Sequence, residues 1–161
     1  MAKLFKNHTL DQYLDILSKK QPVPGGGSAA ALTAACGLAL LSMVTNYSIG
    51  KTGSKSDDKK MLNQLKKSES LRKRLTELID LDAQAYLQVV KTRGQSPSVR
   101  KKAQKNAEKI PLEVGKLCYK GVLLAPFLVE KGNKYLISDI EVAVEMLKAA
   151  YNSALALQNH N

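Results

Sequence analysis

Apolar side chains recur at helical spacing along most of the chain, and the interruptions fall at glycines, prolines and capping residues. Thr9 followed by Gln12 forms a capping box, and Leu10, Leu14 and Leu17 with Tyr13 continue at helical intervals, which predicts a helix from Leu10 to about Lys19. Pro22-Val23-Pro24-Gly25-Gly26-Gly27 cannot extend it, because prolines and glycines favour extended or left-handed backbone. Ser28 is then expected to cap a helix of small residues that runs to Thr45 or slightly further and ends before Gly50. After a loop over residues 51–56, Asp57 or Asp58 is expected to open the longest periodic stretch. Its stripe is Leu71, Leu75, Leu78, Asp82, Ala85 and Val89, in which Asp82 is the only charged member.

Gly94 to Pro97 breaks that helix, and Ser98 opens another whose interior holds Pro111 and Pro126, so a kinked or segmented helix is predicted. Lys131-Gly132-Asn133 reads as its stop. Ser138-Asp139-Ile140-Glu141 reads as a second capping box, followed by Val142, Met146, Ala149, Ala150 and Leu155 on a last helix running to the end. No stretch shows β-alternation, and no internal repeat is visible. The expected fold is all-α: a single domain over residues 1–161, built as a helical bundle of five or six helices with a central small-residue helix and one long helix.

Composition agrees. In 161 residues, 44% are hydrophobic and 24% charged, with only 5% aromatic and no Trp, which suits a core of Leu, Ile, Val and Ala. Residues 29–44 are apolar, but sixteen residues fall short of the ~20 that span a bilayer, so a buried helix at the centre of a bundle or dimer is expected. The smooth apolar face of that helix leads to the expectation of a homodimer or higher assembly. The polar start of the chain, with Lys3, Lys6, Asp11 and Asp15, shows no secretory signal. Cys36 and Cys118 lie in apolar, small-residue surroundings without CxxC spacing, and read as two buried thiols in a reducing, cytoplasmic compartment. No metal site is expected. With His8 and His160 as the only histidines, acid–base chemistry falls to carboxylates, Lys or Tyr.

Charge narrows the partners. The formal net charge is +11, and it concentrates in residues 51–74 and 91–109, each with a net +6. Such fields attract anions, but without interleaved aromatics or a recognised helix-turn-helix, RRM or KH signature, nucleic acid is disfavoured. A small anionic ligand or a solvated face remains. Three glycines before a helix start expose backbone N–H groups at the positive end of the helix dipole, a place for a carboxylate or the polar edge of a ligand; a flexible hinge is the other reading.

The segment PVPGGGSAAALTAACGLALLSMVTNYSIGK resembles the opening of the cyclodeaminase/cyclohydrolase family, the folate-acting helical domain of formiminotransferase-cyclodeaminase. The family's P-G-G-G-S, Ala-rich helix and M-V-x-N-x-x-I-G-K are matched through Met43, Val44, Asn46, Ile49, Gly50 and Lys51. Asp82-Ala83-Gln84-Ala85-Tyr86, Ile110-Pro111-Leu112, Gly132-Asn133 and Ser138-Asp139 follow in family order. The lysine-rich continuation usual after I-G-K is replaced by Thr52-Gly53-Ser54-Lys55. This resemblance implies an enzyme that closes 5-formimino-tetrahydrofolate to 5,10-methenyl-tetrahydrofolate with loss of ammonia, or one that hydrolyses the methenyl bridge. A non-catalytic folate-binding or helix-interaction relative is the alternative.

Both reactions need a proton moved at a folate nitrogen or leaving amine, and a carboxyl group in an apolar stripe has its pKa raised toward that task. Asp82 meets this description and the resemblance points to it as the catalytic group; capping a helix or pairing with Lys is the structural alternative. The resemblance further implies that Gly25, Gly26, Gly27 and Ser28 line the folate pocket, that Lys51 meets a glutamate-tail carboxylate, and that tetrahydrofolate is the substrate with no other cofactor. Asp139, in the first turn of the last helix, is a further substrate-binding candidate or a complement to the helix dipole.

Overall fold

The computed structural model describes residues 4–159; His160 lies outside them. Six α-helices are present among the described residues, and no strand: α1 (Leu10–Leu17), α2 (Gly26–Ser48), α3 (Lys55–Lys91), α4 (Pro97–Val122), α5 (Ala125–Lys131) and α6 (Ile137–Asn159). Short 3-10 turns over Phe5–Asn7 and Lys134–Leu136 precede α1 and α6. The expected all-α bundle with a central small-residue helix and one long helix is therefore what forms.

Small residues put α2 in the middle. Ala31, Ala34, Leu38, Leu41 and Val44 are fully or almost fully buried, and α3 and α6 pack along it. A Cβ on Gly37 would sit 2.9 Å from the Ala143 carbonyl oxygen of α6, so only glycine permits this approach. Ser42 and Ser68 share a buried 2.8 Å hydrogen bond between α2 and α3. Thr45 and Ser48 donate back to the carbonyls of Leu41 and Val44, which satisfies hydroxyls in an apolar interior.

Side-chain neighbours fix the directions. Gly26 faces Leu157, Gly37 faces Leu147, and the Asn133 N–H donates to Ser48 Oγ at 2.9 Å, so α6 runs antiparallel to α2. Ser28 meets Asp82 while Ser42 meets Ser68, so α3 is also antiparallel to it. Gly121 of α4 faces Leu38 and Leu147, while Gly115 faces Tyr151 and Ala154, which sets α4 antiparallel to α6. One end of the bundle thus gathers the start of α2, the later part of α3, the first half of α4 and the end of α6.

Several sequence readings are corrected. The helix α2 begins at Gly26, not after Ser28, with Gly25 as an N-cap that offers no side chain. At 23 residues α2 is long enough to span a bilayer, so length does not exclude a membrane helix; what distinguishes it is that 61% of its most apolar window is buried in the bundle. The cap of α3 is Ser54, whose hydroxyl accepts the Asp57 N–H, so the helix starts at Lys55 and the acidic pair occupies its first turn.

Of the leucines of α1, only Leu17 packs against the core. Leu10 and Leu14 are 67% and 51% exposed, and Tyr13 is the buried residue. The buried positions of α6 are Ile140, Ala143, Leu147, Ala150 and Ala154, while Val142 and Leu155 are exposed. Its start is Ile137, which continues directly from the 3-10 turn, so the sequence Ser138 to Glu141 lies inside the helix and not at a cap. Pro111 is accommodated inside α4, and Pro126 sits in the first turn of α5, where a missing N–H costs nothing; the segmented reading holds, with the break at Leu123 and Leu124. Cys118 is buried and its thiol is pushed up to about 12 by desolvation, whereas Cys36 is exposed.

Candidate active site

The gathered helix ends enclose a cavity of about 500 Å³, lined by Pro22, Val23, Gly25, Gly26 and Gly27 from the start of α2, Asp82, Tyr86 and Val89 from α3, Gln104, Ala107 and Pro111 from α4, and Leu157 from α6. Asp82 is its only acidic group. The glycines are not left-handed: among the described residues, positive φ occurs only at Gly50 and Gly53. Their value is spatial instead. A Cβ on Gly27 would collide with the Asp82 carboxylate, while one on Gly26 would rest at an ordinary 3.7 Å from Leu157.

Close approach at Gly27 lets Asp82 Oδ2 accept the Ser28 N–H at 2.9 Å, so a carboxylate from α3 caps α2 in place of the side chain that Gly25 lacks. Burial raises the Asp82 pKa, and the Ser28 N–H opposes that shift with a smaller effect. The capping alternative and the acid–base reading thus meet in one carboxyl group, which has one oxygen tied to a helix amide and a raised proton affinity.

Behind the cavity, Ser28 Oγ shares a 2.9 Å hydrogen bond with Tyr13 OH. Tyr13 is buried, which raises its pKa; the bond to Ser28 opposes that, and the nearby Asp82 and Asp80 add to the rise. Asp80 is 5% exposed and accepts the Phe5 N–H at 2.6 Å and the Lys6 N–H at 3.4 Å, so α3 holds the N-terminal turn on one side and the start of α2 on the other. Tyr13 and Asp80 were not singled out from the sequence as site-supporting residues.

Gly25, Gly26, Gly27, Ser28 and Asp82 are brought together, as expected. Lys51 and Asp139 are not. With α2 spanning 23 residues, Lys51 is about 35 Å along the axis from Gly26. Asp139 stands in the first turn of α6, the end of that helix remote from Leu157. Within one chain neither reaches the Asp82 cavity. Missing from the expected set were Tyr86, Gln104, Pro111 and Leu157. Tyr86 and Val89 are four and seven residues beyond Asp82 on the same helical face, a periodicity that points to them; Gln104 and Leu157 are brought in by tertiary packing alone. Among the described residues, no group of three or more His, Cys, Asp or Glu side chains is placed to hold a metal ion.

The profile of the family described as formiminotransferase-cyclodeaminase matches residues 9–161. A methenyltetrahydrofolate cyclohydrolase of Methylorubrum extorquens is 37% identical over 158 residues, which cover 92% of this chain and 76% of that protein. The formimidoyltransferase-cyclodeaminase of Mus musculus is 29% identical over 139 residues, covering 80% of this chain and 26% of the mouse protein. Among solved structures, a formiminotetrahydrofolate cyclodeaminase from Thermotoga maritima superposes with a TM-score of 0.92 at 26% identity, covering 96% of this chain and 78% of that one.

Proposed function

The chain belongs to the formiminotransferase-cyclodeaminase family, and on that premise we propose that it is a folate one-carbon enzyme with Asp82 as its proton-transfer group. Two reactions suit the site: closure of 5-formimino-tetrahydrofolate to 5,10-methenyl-tetrahydrofolate plus ammonia, and hydrolysis of the methenyl bridge. The observation that carries the reading is a single carboxyl group of raised pKa, facing a cavity whose other walls are mainly apolar side chains and glycine backbone, with Gln104 and Tyr86 as the remaining polar side chains. The 37% identity to a cyclohydrolase supports the hydrolytic direction.

In the deaminating direction, folate N10 bonds to the formimino carbon and the bond from that carbon to the amino nitrogen breaks. With the formimino nitrogen already protonated as an amidinium NH2, Asp82 donates one further proton so that it leaves as NH3, and the carboxylate so formed receives the proton that N10 gives up, which leaves the methenyl cation. In hydrolysis, the carboxylate takes a proton from water as its oxygen bonds to the methenyl carbon; the C–N5 bond then breaks as Asp82 protonates N5, and the new hydroxyl returns its proton to the carboxylate as the formyl C=O forms on N10. Each direction uses the group in both protonation states, which a raised pKa makes accessible near neutrality. The bond from Ser28 N–H fixes the carboxyl orientation. Gly25 and Gly26 leave room for the flat pterin, and the missing Cβ at Gly27 keeps Asp82 in place. No metal or second cofactor takes part; the folate is the substrate.

The same proposal includes a homodimer built on the partly covered face of α2, where Leu32, Leu40 and Met43 are half-buried against the core and Cys36 and Tyr47, on the same side of the helix, are exposed. It also takes residues 1–161 as one domain acting in the cytoplasm, with neither nucleic acid nor membrane as partner. Incubation with 5,10-methenyl-tetrahydrofolate, followed by loss of its absorbance, and with 5-formimino-tetrahydrofolate, followed by ammonia release, tests the activity. Binding of either folate without turnover would instead identify a non-catalytic relative.

A further inference from the structure

A second cavity, of about 290 Å³, adjoins the Asp82 cavity and shares Val89 and Gln104 with it. Its walls are Arg93, Arg100 and Lys101 with Thr92 and Pro97, so three cations and no acidic side chain face it. None of the three enters an ion pair among the described residues, although elsewhere on α3 and α4 Arg72 pairs with Glu69 and Arg74 with Glu113. The negative end of α3 is turned inward on itself here: the Thr92 N–H bonds the carbonyls of Gln88 and Val89, its hydroxyl bonds Val89, and the Arg93 N–H bonds Val90. Pro97 is the first residue of the 26-residue α4, whose N-terminal dipole end therefore also borders the cleft.

We infer that this cleft binds the carboxylates of the glutamate tail of the folate, held by Arg93, Arg100 and Lys101, while the pterin lies beside Asp82. The inference rests on the folate reading above and adds an orientation to it. A folate is a flat ring system joined through a benzoyl group to one or more glutamates, with neutral and anionic ends on opposite sides of the reacting nitrogens. The two adjoining cavities divide in the same way. The first is mainly apolar, with Asp82 as its one charged group, and the second is cationic. Arginine suits a carboxylate because its planar fork donates two parallel hydrogen bonds. Lys51, which the family resemblance pairs with a tail carboxylate, lies at the opposite end of the bundle.

The test compares two substrates that differ only in the tail: 5,10-methenyl-tetrahydrofolate with one glutamate, and its pteroate counterpart with none. Turnover and calorimetric binding are measured for wild type, for Arg100→Gln with Lys101→Gln, and for a control, Lys66→Gln with Lys67→Gln, which removes two charges from the other basic segment. Wild type is expected to favour the tailed ligand by about tenfold or more in KM and Kd. The Arg100/Lys101 variant should lose most of that preference, with the change confined to the tailed ligand, while the control retains it. An equal change for both ligands, no change for either, or an equal loss in the control overturns the tail site. Binding that shows the expected tail preference without turnover upholds the cleft and overturns the catalytic reading; absence of any folate binding overturns both.

Discussion

Asp82 stands between two opposing influences. Desolvation disfavours its charge, whereas the Ser28 N–H and the start of α2 favour it, and the net result is a raised pKa. Replacing it with Asn keeps an oxygen for the Ser28 amide but removes the titrating proton. Asp82→Asn is therefore expected to lower turnover by at least about 100-fold, within the usual range for a positioned acid–base group, with helical content unchanged. Its thermal midpoint at neutral pH should equal or exceed that of wild type. Because the folded-state pKa lies above the unfolded one, wild type gains stability on protonation and loses it as pH rises through the raised value; the difference between the two proteins should shrink toward acid pH. Thermal melts across pH check this, and a gap that widens in acid would refute the assigned shift.

Gly27→Ala makes a second prediction, since the new Cβ occupies the space of the Asp82 carboxylate. The short acidic side chain can rotate away, so the expected stability cost is about 1–3 kcal/mol, with turnover falling far more than stability. Gly26→Val meets only Leu157 at contact distance, and its expected effect is weaker folate binding through the space it fills in the cavity. Extended or left-handed backbone was the expectation over the three glycines; Gly25 is extended, none is left-handed, and Gly26 and Gly27 open the helix, which that composition equally permits. Glycine reports that a Cβ is unwelcome, but sequence does not distinguish a backbone reason from a neighbour's carboxylate.

At the scale of elements, starts, stops and periodicity were legible to within a few residues, because caps and helix breakers act locally. Which face turned inward was less legible. Leu10 and Leu14 on α1 look outward because Tyr13 is claimed by Ser28, and α6 is rotated so that its alanines meet α2 and α4. Both are decided by partners distant in sequence. The same holds for Asp80, whose carboxylate is held by amides 74 and 75 residues away. Asp80→Ala should cost about 1–2 kcal/mol in chemical denaturation by removing the acceptor of two part-buried amides, with turnover per folded molecule close to wild type. The α3–α4 contact between Arg74 and Glu113 is half-exposed, and Glu113→Gln should cost less than about 1 kcal/mol. Arg74 holds the Glu113 carboxyl below its ordinary range, so this contribution is present at neutral pH and fades as pH falls through the lowered value.

Across the whole molecule, the division of charge into two basic segments was visible in the sequence, but their separation was not. Residues 55–74 lie on the first half of α3, toward the end of the bundle remote from the cavity, whereas residues 91–109 border the Asp82 and cationic clefts. The proposed dimer predicts twice the monomer mass by light scattering at micromolar concentration, and Tyr47→Glu at an exposed position of α2 should shift it to monomer. Asp82 is level with the start of α2, yet α3 continues nine residues beyond it, about 13 Å, and α4 returns over a similar distance. No residue between Arg93 and Gln104 other than Ala103 is less than largely exposed, so the tip of this hairpin has little core beneath it. Amide exchange should accordingly be graded along the bundle: protons over 93–104 open by local fluctuation, those of Leu38, Leu41 and Leu75 only with global unfolding, and a bound folate should slow the first group while leaving the ordering of the second intact.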